Sequence, residues 1–267
     1  MYPTLQRFKH LSIVTTLKPS LFERPKQFRM YISPFNPLRS RMKLGVLFSG
    51  GKDSTLALHM AAEHKTVACL ITLDSRNKES YMFHTPNISL TKLQAEALQL
   101  PLISRVTEGK KEEELDDLEQ AITDAVSQFQ IEGVVTGAVE SVYQSTRIQR
   151  ICHRLNLWCL NPLWKRNQRE LLEELIVKCF RVIVSGVFAY PLDETWLGKE
   201  LDPDMVAKLV ELEKRFGISP SGEGGEIETT VLDAPMFKQK IEILNHTSTA
   251  RGNSGVYNVT EARLVQK

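Results

Sequence analysis

The stretch SGGKDS at residues 49–54 brings small residues, hydroxyls and opposite charges together where a short apolar run gives way to a helical pattern. Backbone N–H groups are free at the start of a helix, and the helix dipole favours an anion there. Ser49 and Ser54 would add hydroxyl donors, and Lys52 would add positive charge. Asp53 suits a phosphate site only if a divalent cation lies between them. The stretch therefore predicts a phosphate-binding loop with Mg²⁺ held by Asp53.

The spacing excludes two common phosphate loops. The P-loop of kinases and GTPases would need glycine where Val46 stands and Ser or Thr in place of Asp53, and no G-x-G-x-x-G occurs here. The stretch instead resembles the SGGxDS loop of PP-loop ATP pyrophosphatases, which split ATP between the α and β phosphates. The resemblance implies ATP as the nucleotide, with Gly50 and Gly51 offering N–H groups to its phosphates and Lys52 and Asp53 as catalytic residues.

Strand-like and helix-like segments alternate after this loop. This rhythm predicts an α/β fold with a doubly wound, mostly parallel sheet, similar to the adenine nucleotide α-hydrolases. The predicted strands are 43–48, 66–73, 101–106, 132–136, 157–160 and 181–187. The predicted helices are 53–64, 89–99, 111–129, 140–155 and 167–179.

The last part of the chain differs in composition. A further helix is predicted over 203–216, with Asp202 as N-cap and Pro203 at its first position. Residues 218–267 are rich in Gly, Ser, Thr and β-branched residues, with strand-like runs at 227–232, 239–244 and 256–265. We therefore predict an ATP-binding domain over 42–190 and a smaller α+β, substrate-binding module over 191–267.

Residues 1–41 differ from the rest in charge. They carry a net charge of +7 and five of the twelve prolines, which leaves −5 for residues 42–267. Three interpretations remain open: an upstream extension before a true start at Met42, a disordered basic tail, or a transit peptide. None of them gives this segment a part in the chemistry.

Composition narrows the class of protein. The 267 residues are 42% apolar, and no run of 18 apolar residues predicts a membrane span. The four cysteines form no CxxC pair, which is typical of reduced thiols in a cytoplasmic protein. The mildly acidic body lacks the broad basic surface that binds nucleic acid, so we expect no nucleic-acid partner.

Several polar or small residues follow the predicted strands. Leu73 and Gly137 end strands at the sheet edge where open α/β folds bind ligands, so both are predicted to flank the nucleotide. Glu140, Tyr143 and Arg147 share one face of the next helix. An ordinary strand-to-helix turn at Gly137 and a solvated helix face for the other three residues are the alternatives.

A second glycine-rich stretch, GEGGEIE at residues 222–228, carries the opposite charge; we call it the acidic segment. Glu223, Glu226 and Glu228 would repel phosphate, so the segment suits a cation. Strand alternation would place Glu226 and Glu228 on the same side. An acidic hairpin without a ligand is the alternative.

A wider set of motifs points to one family. The stretches ESYMFHTPN (79–87), TGAVESVYQSTRIQRICHRLNL (136–157), PLWKRNQRELLEEL (162–175), TWLG (195–198) and GEGGEIETTVLDAP (222–235), together with the SGGKDS loop, resemble the diphthine–ammonia ligase family. The resemblance covers most of residues 42–235.

That resemblance implies an activity and a set of ligands. The family amidates diphthine, a modified histidine of a translation elongation factor, with ATP and ammonium, and releases AMP and pyrophosphate. Diphthine carries a trimethylammonium group, which carboxylates and aromatic rings can bind. We therefore expect the acidic segment and the helix face of Glu140, Tyr143 and Arg147 to bind this substrate.

Two alternatives remain at this point. Another PP-loop enzyme could apply the same adenylation step to RNA or to a small molecule. A nucleotide-binding protein without catalytic activity is the second alternative, although it would not need Lys52 and Asp53 together.

Overall fold

A computed structural model describes residues 42–77, 86–110 and 112–267. The predictions made for residues 1–41, and most of the motif at 79–87, lie outside the described residues. Within the described ranges no helix is both long and apolar enough to cross a membrane.

The first half forms the predicted α/β layer. Five parallel strands are ordered β3-β2-β1-β4-β5. They are β1 (Lys43–Leu47), β2 (Thr66–Ser75), β3 (Leu102–Thr107), β4 (Gly133–Val135) and β5 (Trp158–Leu160). The helices are α1 (Lys52–Ala62), α2 (Thr91–Leu98), α3 (Glu113–Phe129), α4 (Val142–Arg154) and α5 (Gln168–Val177). The predicted fold class is confirmed.

The strand order fixes where a ligand can bind. From β1 the chain winds outward to β2 and β3, and then returns to the other side of β1 to add β4 and β5. In open α/β sheets, a ligand-binding crevice forms at such a reversal, outside the carboxyl ends of the strands. Residues 49–54 follow β1 and Thr136 follows β4, so both loops border this crevice.

The second layer is a four-stranded antiparallel sheet ordered β7-β6-β9-β8. Its strands are β6 (Arg181–Val187), β7 (Ile227–Asp233), β8 (Lys240–Arg251) and β9 (Ser254–Val265), and α6 (Pro203–Phe216) connects β6 to β7. The prediction that 181–187 continues the parallel sheet is wrong, because β6 pairs antiparallel with β7 and β9. An almost continuous apolar run does not distinguish the two kinds of sheet.

The bounds predicted for α6 agree with the structure, whereas those predicted for β8 do not. α6 has the predicted bounds, and Asp202 Oδ1 accepts a hydrogen bond from the Met205 N–H at 2.7 Å. β8 instead extends to Arg251, well past the predicted end at 244. Its outer residues are exposed and polar on both faces, so no alternation marks them as a strand.

Candidate functional site

A cavity of about 480 Å³ lies between the two layers, at the carboxyl ends of β1 and β4. Of the residues predicted from sequence, those on its wall are Ser49, Gly51, Lys52, Asp53, Ser54, Leu73, Gly137, Glu223 and Glu228. Those that the wall does not include are Gly50, Glu140, Tyr143, Arg147 and Glu226. The cavity thus joins the phosphate loop, which we define as residues 49–54, to the acidic segment.

The phosphate loop is held in shape by its own hydroxyls. The Ser49 and Ser54 hydroxyls are 3.2 Å apart, and the Gly51 N–H donates to Ser49 Oγ at 3.4 Å. Gly51 precedes α1 with extended backbone and no side chain caps the helix there. The first residues of α1, Lys52 to Ser54, line the cavity, which is where a helix N-terminus can bind a phosphate.

Lys52 is 4% exposed although it is charged. Its Nζ donates to Asp53 Oδ2 at 2.7 Å and to the carbonyl oxygen of Ser221. Its backbone N–H donates to Thr229 Oγ1 at 3.2 Å. A buried ammonium needs partners, and Nζ has two, Asp53 and the Ser221 carbonyl. Ser221, together with Thr229 on the backbone N–H, belongs to the chain segment around the second layer. Lys52 therefore links the phosphate loop to the residues beside the acidic segment.

Gly50 lies behind the phosphate loop rather than on the cavity wall. Its carbonyl oxygen accepts hydrogen bonds from Gln94 Nε2 at 2.9 Å and from the Val231 N–H at 3.0 Å. Its φ is +77°, and a Cβ there would lie 2.2 Å from Gln94 Oε1. The glycine is required by backbone geometry and by this close packing.

Gly137 has a structural role that the sequence did not reveal. A Cβ at this position would lie 2.7 Å from the Ser54 nitrogen and 2.8 Å from the Asp53 carbonyl carbon. Both are backbone atoms, which cannot move aside as a side chain can. The loop after β4 therefore packs directly against the first turn of α1, and Gly137 also lines the cavity.

Glu223 lies on the cavity wall and holds the start of α4. Its Oε1 accepts hydrogen bonds from the backbone N–H groups of Glu140 at 2.8 Å and Ser141 at 2.7 Å. Burial raises the pKa of the Glu223 carboxyl, and these hydrogen bonds act in the opposite direction. Ser141 is itself the N-cap of α4. Glu223 thus complements N–H groups that a helix N-terminus leaves free.

Glu226 belongs to a turn and not to the strand. β7 begins at Ile227, and Glu226 Oε1 accepts a hydrogen bond from the Ser219 N–H at 3.0 Å. The prediction that Glu226 and Glu228 point the same way is therefore wrong, since alternation applies only within a strand. Substrate binding by Glu226 remains a prediction, and its side chain faces the turn.

Glu228 is the residue of the acidic segment that lies within β7 and faces the cavity. Burial raises the pKa of its carboxyl to about 7, and the nearby Lys52 ammonium lowers it less than burial raises it. A strongly shifted titratable group in a cleft is typical of functional sites.

The predicted helix face of α4 makes contacts of its own. Arg147 Nε donates to Glu112 Oε1 at 3.2 Å, and the guanidinium lies 3.4 Å from the centre of the Tyr143 ring. Glu140 is exposed, and its backbone rather than its carboxylate contacts the acidic segment. A substrate contact for these three residues remains a prediction.

Several residues at or behind the cavity wall carry no signal in the sequence. Phe188, at the end of β6, and Thr229 both line the cavity. Gln94 is fully buried in α2 and fixes Gly50 from behind. Neither a phenylalanine after an apolar run nor a single glutamine in a helix indicates a site by its type or spacing. Their roles depend on how the two layers meet.

Family models match both layers. The model of the diphthamide synthase N-terminal domain matches residues 42–159, and that of the C-terminal domain matches residues 167–265. The diphthine–ammonia ligase of Bos taurus is 37% identical over 234 residues, which cover 78% of this chain and 87% of that protein. The Homo sapiens diphthine–ammonia ligase is 36% identical with the same coverage.

One solved structure is also similar in part. A predicted subunit of tRNA methyltransferase from Methanocaldococcus jannaschii aligns over 73% of this chain and 98% of its own, at 21% identity and a TM-score of 0.40. Similarity at this level supports no conclusion about activity.

Proposed function

The chain belongs to the diphthamide synthase family of diphthine–ammonia ligases, and from this premise we propose that its cavity amidates diphthine on an elongation factor with ATP and ammonium. One observation carries the proposal. A phosphate loop and the residues of an acidic segment border a single cavity at the reversal of a parallel sheet. That arrangement would bring an anionic nucleotide and a cationic protein side chain into one space.

The phosphate loop would bind the ATP phosphates. The start of α1 and the hydroxyls of Ser49 and Ser54 border the cavity. They would donate to the phosphates in exchange for the hydrogen bonds that the two hydroxyls make within the loop. The substrate carboxylate would attack the α-phosphorus, and the bond to the β-phosphate oxygen would break to release pyrophosphate. Ammonia, formed when ammonium gives up a proton, would then displace AMP from the carbonyl carbon. Lys52 would stabilise the negative charge of the phosphates as they separate.

A magnesium ion fits this donor set through Asp53. Its carboxylate is about one third exposed and lies on the cavity wall, so it can reach a cation held by phosphates. Mg²⁺ commonly uses one or two carboxylates together with substrate phosphates. No group of three or more metal-ligating side chains is found among the residues described, so Asp53 and the phosphates would hold the ion. When bound, Mg²⁺ would neutralise phosphate charge.

The second substrate would enter from the side of the acidic segment. Glu228 faces the cavity, and Glu223 lines it while holding α4. Carboxylates on this side would favour the positively charged diphthine and disfavour a second nucleotide. The cavity would therefore have a phosphate side and a cation side.

The test is reconstitution with the whole chain. Purified protein, ATP, Mg²⁺, ammonium and diphthine-bearing elongation factor should yield AMP, pyrophosphate and a factor whose mass shows an amide in place of an acid. Omission of ammonium and use of a factor without diphthine are the controls. Release of ADP and phosphate, or an unchanged factor, would refute the proposal.

A further inference from the structure

Gly186, in β6, leaves room for an aromatic ring and a carboxylate to lie close together. It pairs with Glu228 across the strands, and a Cβ at Gly186 would lie 2.6 Å from Phe188 Cε2 and 3.2 Å from Glu228 Cβ. The Phe188 ring therefore lies over the bare glycine, directly beside Glu228. Both Phe188 and Glu228 line the cavity. An aromatic ring and a carboxylate thus share one patch of its wall.

Among the described residues no hydrogen bond or ion pair to the Glu228 side chain is found. The Lys52 ammonium, whose charge acts on this carboxylate, is already bound by Asp53 at 2.7 Å and by the Ser221 carbonyl. Glu228 is only partly exposed, at the cavity, so its charge is partly desolvated and costs free energy without a partner. A cationic ligand at this position would lower that cost.

We propose that the Phe188 ring and the Glu228 carboxylate form a subsite for the quaternary ammonium group of the protein substrate. This inference rests on the proposed function and adds Phe188 as a specificity residue. Gly186 acts as a positioning residue, because only a glycine leaves room for the ring beside the carboxylate. The raised pKa of Glu228 agrees with a carboxyl that lacks a cation until substrate binds.

The chemistry of the pair favours a quaternary ammonium over the free ammonium ion. A quaternary nitrogen has no N–H groups, so it needs negative charge and an aromatic face rather than several hydrogen-bond acceptors. A free ammonium ion has four N–H donors and would leave most of them unsatisfied against a ring. Phe188 offers only its ring face and edge, which suits the methyl groups of the quaternary ammonium.

The matched test uses two phenylalanines of equal exposure. Phe188 is 39% exposed on the cavity wall, and Phe216 is 40% exposed at the end of α6, outside that wall. Phe188→Leu should raise the KM for diphthine-bearing elongation factor about tenfold, as loss of a desolvated cation–π contact would. The KM values for ATP and ammonium should stay unchanged, and Phe216→Leu should leave all three constants unchanged.

A binding measurement separates this subsite from the reaction. Tetramethylammonium chloride should compete with the diphthine-bearing factor for the wild-type protein, and not for the Phe188→Leu/Glu228→Gln double variant, at matched ionic strength. Sodium chloride and ammonium chloride serve as controls. If wild-type protein binds the factor in this way without making amide, the proposed function fails and the subsite stands.

Two results would overturn the subsite itself. One is an active enzyme in which Phe188→Leu raises the KM for ammonium but not for the factor, which would assign the pair to the free ion. The other is an active enzyme in which Phe188→Leu and the Phe188→Leu/Glu228→Gln double variant both keep the wild-type KM for the factor, and tetramethylammonium does not compete with the factor for the wild-type protein.

Discussion

The phosphate loop and the acidic segment are both glycine-rich turns on one cavity, yet their side chains are used in opposite ways. In the phosphate loop the serine side chains hydrogen-bond to each other and to the backbone of the loop, at the start of the helix that borders the cavity. In the acidic segment three carboxylates of one type have three different environments. Glu223 holds α4, Glu226 folds back onto Ser219, and Glu228 faces the cavity.

The difference shows that hydrogen-bond partners, rather than residue type, assign roles at this site. A backbone-lined anion site can be recognised from its local sequence, because strand, turn and helix start are adjacent in the chain. A side-chain cation site depends on contacts between distant segments. Glu223, for example, reaches a helix that begins about 80 residues earlier in the chain.

The strongest test of the comparison removes charge from the phosphate loop. Asp53→Ala should lower AMP formation about 10²–10³-fold, the scale expected for loss of one electrostatic contact to a reacting phosphate. Lys52→Ala should do the same and also reduce thermal stability, because Lys52 Nζ bonds to the Ser221 carbonyl. AMP release measured with saturating substrates is the readout.

Asp116→Ala, an exposed acid at the start of α3, is the matched control for Asp53 and should keep wild-type activity. An Asp53→Ala protein that forms AMP at the wild-type rate would remove this residue from the chemistry. The backbone would then be the part of the loop that acts on the nucleotide.

The next test compares one glycine from each turn. Gly50 and Gly225 have φ values of +77° and +83°, but only Gly50 is crowded, with Gln94 Oε1 2.2 Å from a Cβ. Gly225→Ala should cost about 1 kcal/mol of unfolding free energy through its positive φ alone. Gly50→Ala should cost about 2–4 kcal/mol, because the displaced Gln94 adds overpacking.

Urea unfolding of both variants, with thermal melting as a check, measures this difference. Equal losses for the two would show that Gln94 yields to the new methyl group. In that case the side chains packed behind the phosphate loop would rearrange more easily than the short distance to Gln94 implies.

The same comparison separates the elements that the sequence predicts from those that it does not. The parallel sheet, α6 and the phosphate loop were predicted, because periodicity, capping and local spacing encode them. The sheet to which β6 belongs, and the outer half of β8, were not, because antiparallel pairing is nonlocal and exposed polar strands show no alternation. Phe188 and Gln94 gave no signal, since their roles arise only where the two layers meet.

A third test uses pH to separate Glu228 from its neighbours. The pKa of Glu228 in the folded protein, about 7, lies above the ordinary value of 4.5. The protonated Glu228 carboxyl is favoured in the folded protein. The stability that this gives is therefore fully present below about pH 4.5 and is lost as pH rises through 7. Glu228→Gln cannot ionise, so it should be more stable than wild type at pH 8, by about 1–3 kcal/mol, with little difference at pH 4.5.

Free energies of unfolding without nucleotide, measured from pH 4.5 to pH 8 for both proteins, provide the comparison. Glu213→Gln, an exposed change on α6, should follow wild type throughout. Parallel curves for wild type and Glu228→Gln would contradict a partly desolvated, unpaired carboxylate at this position.

The smallest expected effect concerns the carboxylate that holds α4. Glu223→Ala removes the acceptor for two backbone N–H groups, a loss comparable to that of a helix cap. The burial that raises the pKa of Glu223 shows that its charge is partly desolvated, so removal also recovers some of that cost. The net loss should therefore be only about 1 kcal/mol of unfolding free energy. Glu223→Gln keeps one acceptor oxygen and should restore most of it, as measured by urea unfolding. If Gln is as destabilising as Ala, the charge rather than the hydrogen bonds stabilises the start of α4, and the helix dipole becomes the better explanation.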